Sequence, residues 1–301
     1  MIRISTLWAF ILFASCNNPV DDAKIPVDSQ KTKVISPKNN KIHELPAELN
    51  EISGITFLSD TVLVGIQDEE GILYYYNLAQ DKIIRKQIFA GSGDYEDLVK
   101  AGNDMYVLTS EGVLSQIKNF ASSNPILTTI KTPFSKKNDT EGMAYDAKNH
   151  RLLIAPKELG LDANETTKQI YGFDLNTMKF QTKPVFSIRL DEISSQFSGS
   201  ALEESSKKFL KAIGNRNMNK VFRSSAITVN EKTGEIFVLS SLNGLIIILN
   251  SEGTLKKIIQ FSGAEYKQPE GIAFAPNGKL YISNEGSKSG IGNIIELTHE
   301  N

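Results

Sequence analysis

Acidic residues recur in this sequence at the start of short apolar runs. Glu96, Glu141 and Glu270 occupy the same place in three such runs, and Ser53 and Ser225 occupy it in two others. Converging carboxylates raise one another's pKa unless a cation relieves the repulsion, and oxygen ligands suit Ca²⁺ or Mg²⁺. The three glutamates are therefore predicted to be the leading ligands of a divalent cation, with Ca²⁺ expected and the two serines as minor ligands. In the alternative interpretation these glutamates bond to backbone amides at strand starts or face water.

A second group of residues is predicted to bind a ligand in the same region. This group consists of Glu51, Asp68, Arg223 and Glu285. Arg223 stands where the other repeats have an acid or Gln268, and residues 203–223 contain six Lys or Arg and two Glu. This basic segment is expected to lie over the acids as a lid or to hold an anionic group beside a metal. A solvated helix face is the alternative explanation.

The residues that hydrolytic enzymes commonly use are scarce. The single Cys and the three histidines (His43, His150 and His299) lie outside the repeated motifs, so neither a Ser-His-Asp triad nor a zinc site has a candidate. Lys plus Arg number 33 against 35 Asp plus Glu, which argues against nucleic acid as a partner. The favoured function is a non-catalytic module that binds an envelope ligand or protein. The alternative is a metal-dependent hydrolase of phosphoesters or lactones, with Glu141 or Glu270 as acid or base.

The elements that must position these residues repeat along the chain. We call the repeated position that these glutamates and serines occupy the marker. The five markers, at 53, 96, 141, 225 and 270, are spaced by 43, 45, 84 and 45 residues, and a strand-like run follows each of them. Intervals of about 40–50 residues are typical of β-propeller blades. The sequence therefore predicts an all-β protein with five blades and a short helical insertion at residues 201–213 in the long interval. Six blades are the alternative.

Loop geometry places the acids on one side of the predicted disc. In a four-stranded blade, the turn that enters the first strand and the turn between the second and third strands lie on the same face. Both kinds of turn carry acids here, so one mouth of the central channel is expected to be rich in carboxylates. The last blade lacks an outer strand, which residues 34–35 and 41–45 can supply and so close the ring.

The ordered set of markers resembles the SdiA-regulated family of bacterial envelope proteins. The markers read Ser53-Gly54, Glu96-Asp97, Glu141-Gly142, Ser225-Ala226 and Glu270-Gly271, within residues 40–297. The resemblance implies a five-bladed propeller and brings no well-defined enzymatic activity. Asp97 and Ala226 replace the family's usual Gly, so a different backbone geometry is expected in blades two and four.

The N-terminus is predicted to be an export signal. Residues 1–15 combine Arg3 with the apolar run 7–14, which is shorter than the roughly 20 residues of a membrane-spanning helix. Small residues precede Cys16, as in a bacterial lipobox, so Cys16 is the predicted lipidation site. Residues 16–33 then form a tether and residues 34–301 the propeller domain. The protein is expected to be a lipoprotein anchored to a membrane of the bacterial cell envelope, and the sequence does not select between the inner and the outer membrane. A plain secretory signal is the alternative.

Overall fold

The short apolar runs form β-strands because they are rich in β-branched and aromatic residues and are separated by Gly, Asn and Asp turns. The computed structural model describes residues 33–35, 40–196, 217–261, 263–287 and 290–297. These residues contain 22 strands in five sheets, each of which is one blade of a β-propeller. The prediction of an all-β, five-bladed propeller is confirmed, and the six-bladed alternative is wrong.

The first two blades follow two N-terminal strands, β1 (Lys33–Ile35) and β2 (Lys41–Glu44). Blade 1 consists of β3 (Ile52–Phe57), β4 (Val62–Gln67), β5 (Glu70–Asn77) and β6 (Lys82–Ser92). Blade 2 consists of β7 (Tyr95–Ala101), β8 (Asp104–Thr109), β9 (Val113–Lys118) and β10 (Ile126–Lys131).

The remaining three blades complete the ring. Blade 3 consists of β11 (Thr140–Asp146), β12 (Arg151–Pro156), β13 (Thr167–Asp174), β14 (Lys179–Phe180) and β15 (Phe186–Arg189). Blade 4 contains β16 (Ser224–Val229), β17 (Ile236–Ser240), β18 (Leu245–Leu249) and β19 (Leu255–Phe261). Blade 5 contains β20 (Pro269–Phe274), β21 (Leu280–Asn284) and β22 (Asn293–Leu297).

Helical structure is sparse in the described part of the chain. One α-helix, α1 (Leu190–Gln196), follows blade 3, and 3₁₀ turns cover Ala47–Leu49 and Met218–Lys220. The helix predicted at residues 201–213 lies outside the described residues. Among the residues that the structure describes, no helix has the length and apolar character to cross a membrane.

The ring is closed by the N-terminal segment. The innermost strands β3, β7, β11, β16 and β20 contact one another in order, and β20 contacts β3. Strand β2 pairs antiparallel with β22 as the outer strand of blade 5, as predicted for this segment. Strand β1 does not join blade 5, contrary to the expectation for Val34 and Ile35. It pairs in parallel with β19 and extends blade 4 to five strands.

The core lies between neighbouring blades. Val64 and Ile66 of blade 1, for example, form one buried cluster with Leu98 and Val107 of blade 2. Middle strands such as β17 and β18 are buried along their whole length because both faces of their sheet are covered. This burial on both faces explains why these strands are continuous apolar runs without alternation.

Candidate metal centre

A β-bulge at the start of each innermost strand positions the marker residues. In blades 2 to 5 the strand register shifts by one residue at the marker, as between Tyr95 and Asp97, and blade 1 has a related irregularity. A bulge leaves one residue out of the ladder and redirects its side chain. The bulge forms with Asp97 and with Ala226 as it does with glycine, so the expected difference in blades two and four is not seen.

The turns expected on one face do lie together. In blade 2, Ser110 N donates to Asp94 O at 3.0 Å, which joins the second-to-third turn to the entry turn. Blade 5 repeats this contact with Glu285 N and Gln268 O at 2.8 Å. We call this face of the channel the acidic mouth. The acidic residues of its turns include Glu51, Asp68, Asp94, Glu96, Asp139, Glu141, Glu158, Glu270 and Glu285.

Three carboxyls of the acidic mouth come within ligating distance of one another. One oxygen each from Glu96, Asp139 and Glu141 lies within 4.8 Å of the others. Glu141 is only 5% exposed, and its Oε2 has no hydrogen-bond partner among the described residues. Two of the three predicted leading ligands therefore belong to this close group. Glu270 lies outside it, and Asp139, in the left-handed conformation at φ 51°, takes the third place.

Lys157 supplies the positive charge nearest to the close group. Its Nζ forms an ion pair with Glu141 Oε1, and its backbone N donates to Asp139 O at 2.6 Å. Lys157 directly follows the second strand of blade 3, where blades 1 and 5 have Asp68 and Glu285. Sequence reasoning counted only the acids of these turns and missed this lysine. Alignment of the five turn positions is the signal that identifies it.

Burial and mutual repulsion hold the pKa values of these carboxyls high. Burial, followed by repulsion from Glu141, raises the pKa of Glu96 to about 9. Burial raises the pKa of Glu141 to about 8 although Lys157 opposes it, and raises the pKa of Glu270 to about 7. Burial also raises the pKa of Asp139. A cation that replaces the protons would stabilise the charged carboxylates.

The sequence as a whole can now be compared with known families. A sequence model of the family described as SdiA-regulated matches residues 38–288. The chain belongs to the SdiA-regulated family. The predicted resemblance is confirmed at the level of the family. No relative was found among the curated proteins.

The SdiA-regulated chain is also similar to solved structures. The glutaminyl cyclase of Myxococcus xanthus matches with a TM-score of 0.55 and 12% identity, over 89% of this chain and 100% of that one. Regucalcin of Agrobacterium tumefaciens, a calcium-binding protein, matches with a TM-score of 0.49 and 13% identity over 89% and 98% of the two chains. At 12% identity the similarity to the cyclase shows the propeller fold alone.

The predicted ligand-binding residues of the SdiA-regulated chain divide into two places. Glu51, Asp68 and Glu285 lie close enough to repel one another. Burial and then repulsion from Glu51 raise the pKa of Asp68. Burial and then repulsion from Asp68 raise the pKa of Glu285. Arg223 instead forms an ion pair with Glu158, the residue after Lys157. Arg223 therefore connects blade 4 to the turn that carries Lys157.

A buried lysine fixes that turn. Lys168 is 2% exposed, and its Nζ donates to the backbone oxygens of Lys157 and Glu158 and to Asn219 Oδ1. Burial lowers its pKa to about 7. Sequence reasoning did not identify this anchor. A single lysine among polar residues gives no pattern that distinguishes a buried side chain from an exposed one.

The two serine markers and the described histidines make contacts outside the close group of carboxyls. Ser225 Oγ donates to Pro269 O at 2.9 Å and so joins blades 4 and 5. The carbonyl oxygen of Ser53 accepts from Ser283 Oγ at 3.0 Å. Among the described histidines, His43 pairs with Asp81 and His150 contacts Tyr145 OH at 2.9 Å, both away from the close group.

Proposed function

We propose that this protein is a non-catalytic binding module of the bacterial cell envelope that holds a divalent cation, with Ca²⁺ expected, at its acidic mouth. The observation that carries the proposal is the close group of Glu96, Asp139 and Glu141, in which Glu141 Oε2 is buried without a partner. A buried carboxylate oxygen without a partner is costly, and an ion bound there would remove that cost.

The charge of the site favours a divalent ion. Three ionised carboxylates and the ammonium of Lys157 give a net charge of about −2, which one divalent cation neutralises. Ca²⁺ accepts an irregular set of carboxylate, carbonyl and water oxygens more readily than Mg²⁺, which requires a near-octahedral arrangement. The bulges and turns of the mouth supply such an irregular set. The proposed contacts for an envelope ligand or protein are Glu51, Asp68 and Glu285, which lie near one another, and Arg223 beside the turn that carries Lys157.

Thermal stability against added ions tests the proposal. The soluble chain for this test consists of residues 16–301 with Cys16→Ser, stripped of metal. Ligand binding to the native state at 100 times Kd adds about 2.7 kcal/mol of stability. We expect Ca²⁺ to raise the melting temperature by several degrees and Glu141→Gln to remove most of the shift. Glu111→Gln is the matched control, because Glu111 is half exposed on the same face and pairs with Lys136. Absence of a shift with Ca²⁺, Mg²⁺, Mn²⁺ and Zn²⁺ would contradict the proposal.

The proposed location depends on Cys16. The apolar run 7–14 and the small residues before Cys16 support lipidation, and residues 16–33 are polar enough to act as a tether. In cells that express the full chain, Cys16→Ser should move the protein from the membrane fraction to the soluble fraction. Retention of the variant in the membrane fraction would contradict the lipid anchor.

A metal-dependent hydrolase of phosphoesters or lactones is the second candidate function. The observation in its favour is the pKa of Glu270, which burial raises to about 7, the range that suits a general acid or base at neutral pH. Turnover of p-nitrophenyl phosphodiesters or of lactones in the presence of Ca²⁺ would support this function, provided that Glu270→Gln abolishes it while ion binding persists. Lack of turnover with both substrate classes supports the binding module.

A further inference from the structure

The end of the channel opposite the acidic mouth contains a separate cavity. Its volume is about 260 Å³, and all five innermost strands line it. On each strand, the residues that line the cavity begin two positions after the marker, for example at Ile55 and Met143. The lining continues into the turns between first and second strands, which contain Lys232 and Pro276. The cavity therefore shares the channel axis with the acidic mouth and opens on the other face.

The walls of this cavity are mixed, with polar groups beside apolar and aromatic side chains. Three residues after each marker the side chains are small or medium in size, and they leave room on the axis. These residues are Thr56, Val99, Ala144, Thr228 and Ala273. Four residues after each marker the side chains are mostly larger and surround a wider part of the cavity. These residues are Phe57, Lys100, Tyr145, Val229 and Phe274. Two of these aromatic side chains are held by ring contacts, Phe57 with Tyr281 at 4.8 Å and Phe274 with Phe237 at 5.0 Å.

Polar groups around the cavity favour an anion. Lys100 and Lys232 lie in the lining and form no ion pair among the described residues, whereas Glu231 is the one acid there. Lys232 Nζ donates to a backbone oxygen, Asn277 O, at 3.3 Å. Two ammonium groups against one carboxylate give this rim a net positive charge, which attracts an anion.

We propose that this cavity binds a small aromatic carboxylate. The planar ring system lies on the axis between the five strands, against Phe57 and Phe274, and the carboxylate lies at the rim beside Lys100 and Lys232. The volume is close to the lower end of ligand pockets, which are about 300–1,000 Å³, and this limits the ligand to one or two fused rings. The site is independent of the divalent cation proposed for the other face.

Titration calorimetry with 2-naphthoate tests the proposal, and naphthalene-2-carboxamide is the matched neutral compound. We use the soluble chain with Cys16→Ser. Lys100→Gln combined with Lys232→Gln should weaken 2-naphthoate binding about fivefold, since an exposed ion pair contributes about 0.2–1 kcal/mol. The pair should leave carboxamide binding unchanged. Lys118→Gln, an exposed change on blade 2, is the control and should have no effect.

A second variant tests the position of the ring system. Thr228→Phe adds a ring at the channel wall and should weaken binding of both compounds more than tenfold while the melting temperature shows that the chain is folded. Glu141→Gln should leave 2-naphthoate binding unchanged, which separates this site from the cation site. No binding of 2-naphthoate at millimolar concentration would overturn the proposal. Equal binding of the two compounds, or binding that survives Thr228→Phe, would also overturn it.

Discussion

Glu96 and Glu141 differ in how their charge is compensated. Glu141 pairs with Lys157, whereas Glu96 forms no ion pair among the described residues. Without an ion, Glu96 avoids the cost of a buried negative charge by keeping its proton, which is the physical meaning of its raised pKa of about 9. The acidic mouth is therefore expected to exchange protons for a divalent cation.

The raised pKa values predict how stability depends on pH. Glu96, Glu141 and Glu270 have pKa values of about 9, 8 and 7 in the folded chain, against 4.5 for an ordinary glutamate. Between these values the folded chain binds more protons than the unfolded chain, so the stabilising contribution is complete below about pH 4.5 and is lost as the pH rises to about 9. Urea denaturation of the ion-free chain should show a free energy of unfolding that falls between about pH 5 and pH 7, and saturating Ca²⁺ should reduce the fall. Above pH 7 the fall should be shallower, because Lys168, with its pKa lowered to about 7, then binds fewer protons in the folded chain than in the unfolded chain.

Single substitutions show which carboxyl is responsible. Glu96→Gln should make the pH dependence shallower, by up to about 1.4 kcal/mol per pH unit for one proton. Glu111→Gln should leave the slope unchanged. A free energy of unfolding of the ion-free chain that is constant or rises between about pH 5 and pH 7 would contradict the protonated site.

The glycines after the markers serve the contact between blades. Gly54, Gly142 and Gly271 are absent from the residues with positive φ, so backbone conformation does not require them. Instead, a Cβ atom at Gly54 would lie 2.2 Å from Asp97 Oδ1 and 2.7 Å from Asp97 Cα. The innermost strands of blades 1 and 2 approach so closely that only one of the two positions can carry a side chain. Asp97 is that side chain, and its carboxylate accepts from Leu98 N at 2.8 Å and Met143 N at 2.7 Å.

Gly54→Ala should therefore destabilise the protein. Overpacking of a close contact costs about 1–3 kcal/mol, and here the contact includes backbone atoms that cannot rotate away. We expect a loss of about 3 kcal/mol in the free energy of unfolding, measured by urea denaturation. Gly91→Ala is the matched control, because a Cβ atom at Gly91 has no neighbour within 4 Å. Equal stability of the two variants would show that the blades separate easily.

Sequence periodicity predicted where the innermost strands begin but not which acids meet. Glu96, Glu141 and Glu270 are equivalent in the repeats, yet Asp139 lies in the close group and Glu270 does not. That outcome depends on the left-handed turn at Asp139 and on the position of Lys157, and the spacing of the markers predicts neither. The sequence pattern therefore predicted on which face of the disc the acids lie, but it did not predict which carboxyls come within a few ångströms of one another.

Closure of the ring depends on the pairing of an N-terminal strand with the last described strand. Strand β2 pairs with β22, and its residue His43 is buried and contacts Asp81 of blade 1. The sequence predicted this closure because the last blade lacks a strand. It did not predict that β1 pairs in parallel with β19, since every outer strand offers an equivalent open edge and a three-residue segment has too little pattern to select one.

Two truncations separate the contributions of these strands. Removal of residues 1–39 deletes β1, the one described strand in this segment. Removal of residues 1–45 also deletes β2 and the buried Leu45, whose N donates to Gly292 O at 2.8 Å. Loss of two buried side chains and a four-residue ladder should cost about 3 kcal/mol or more, which corresponds to a melting temperature lower by about 6–12 °C. The shorter truncation should lower the melting temperature by less than half of this amount, because blade 4 keeps its four antiparallel strands.

The longer truncation also exposes the edge of β22, so it should aggregate at lower protein concentration in light scattering. Equal melting temperatures for the two truncated chains would mean that the other four blades hold the ring together without β2.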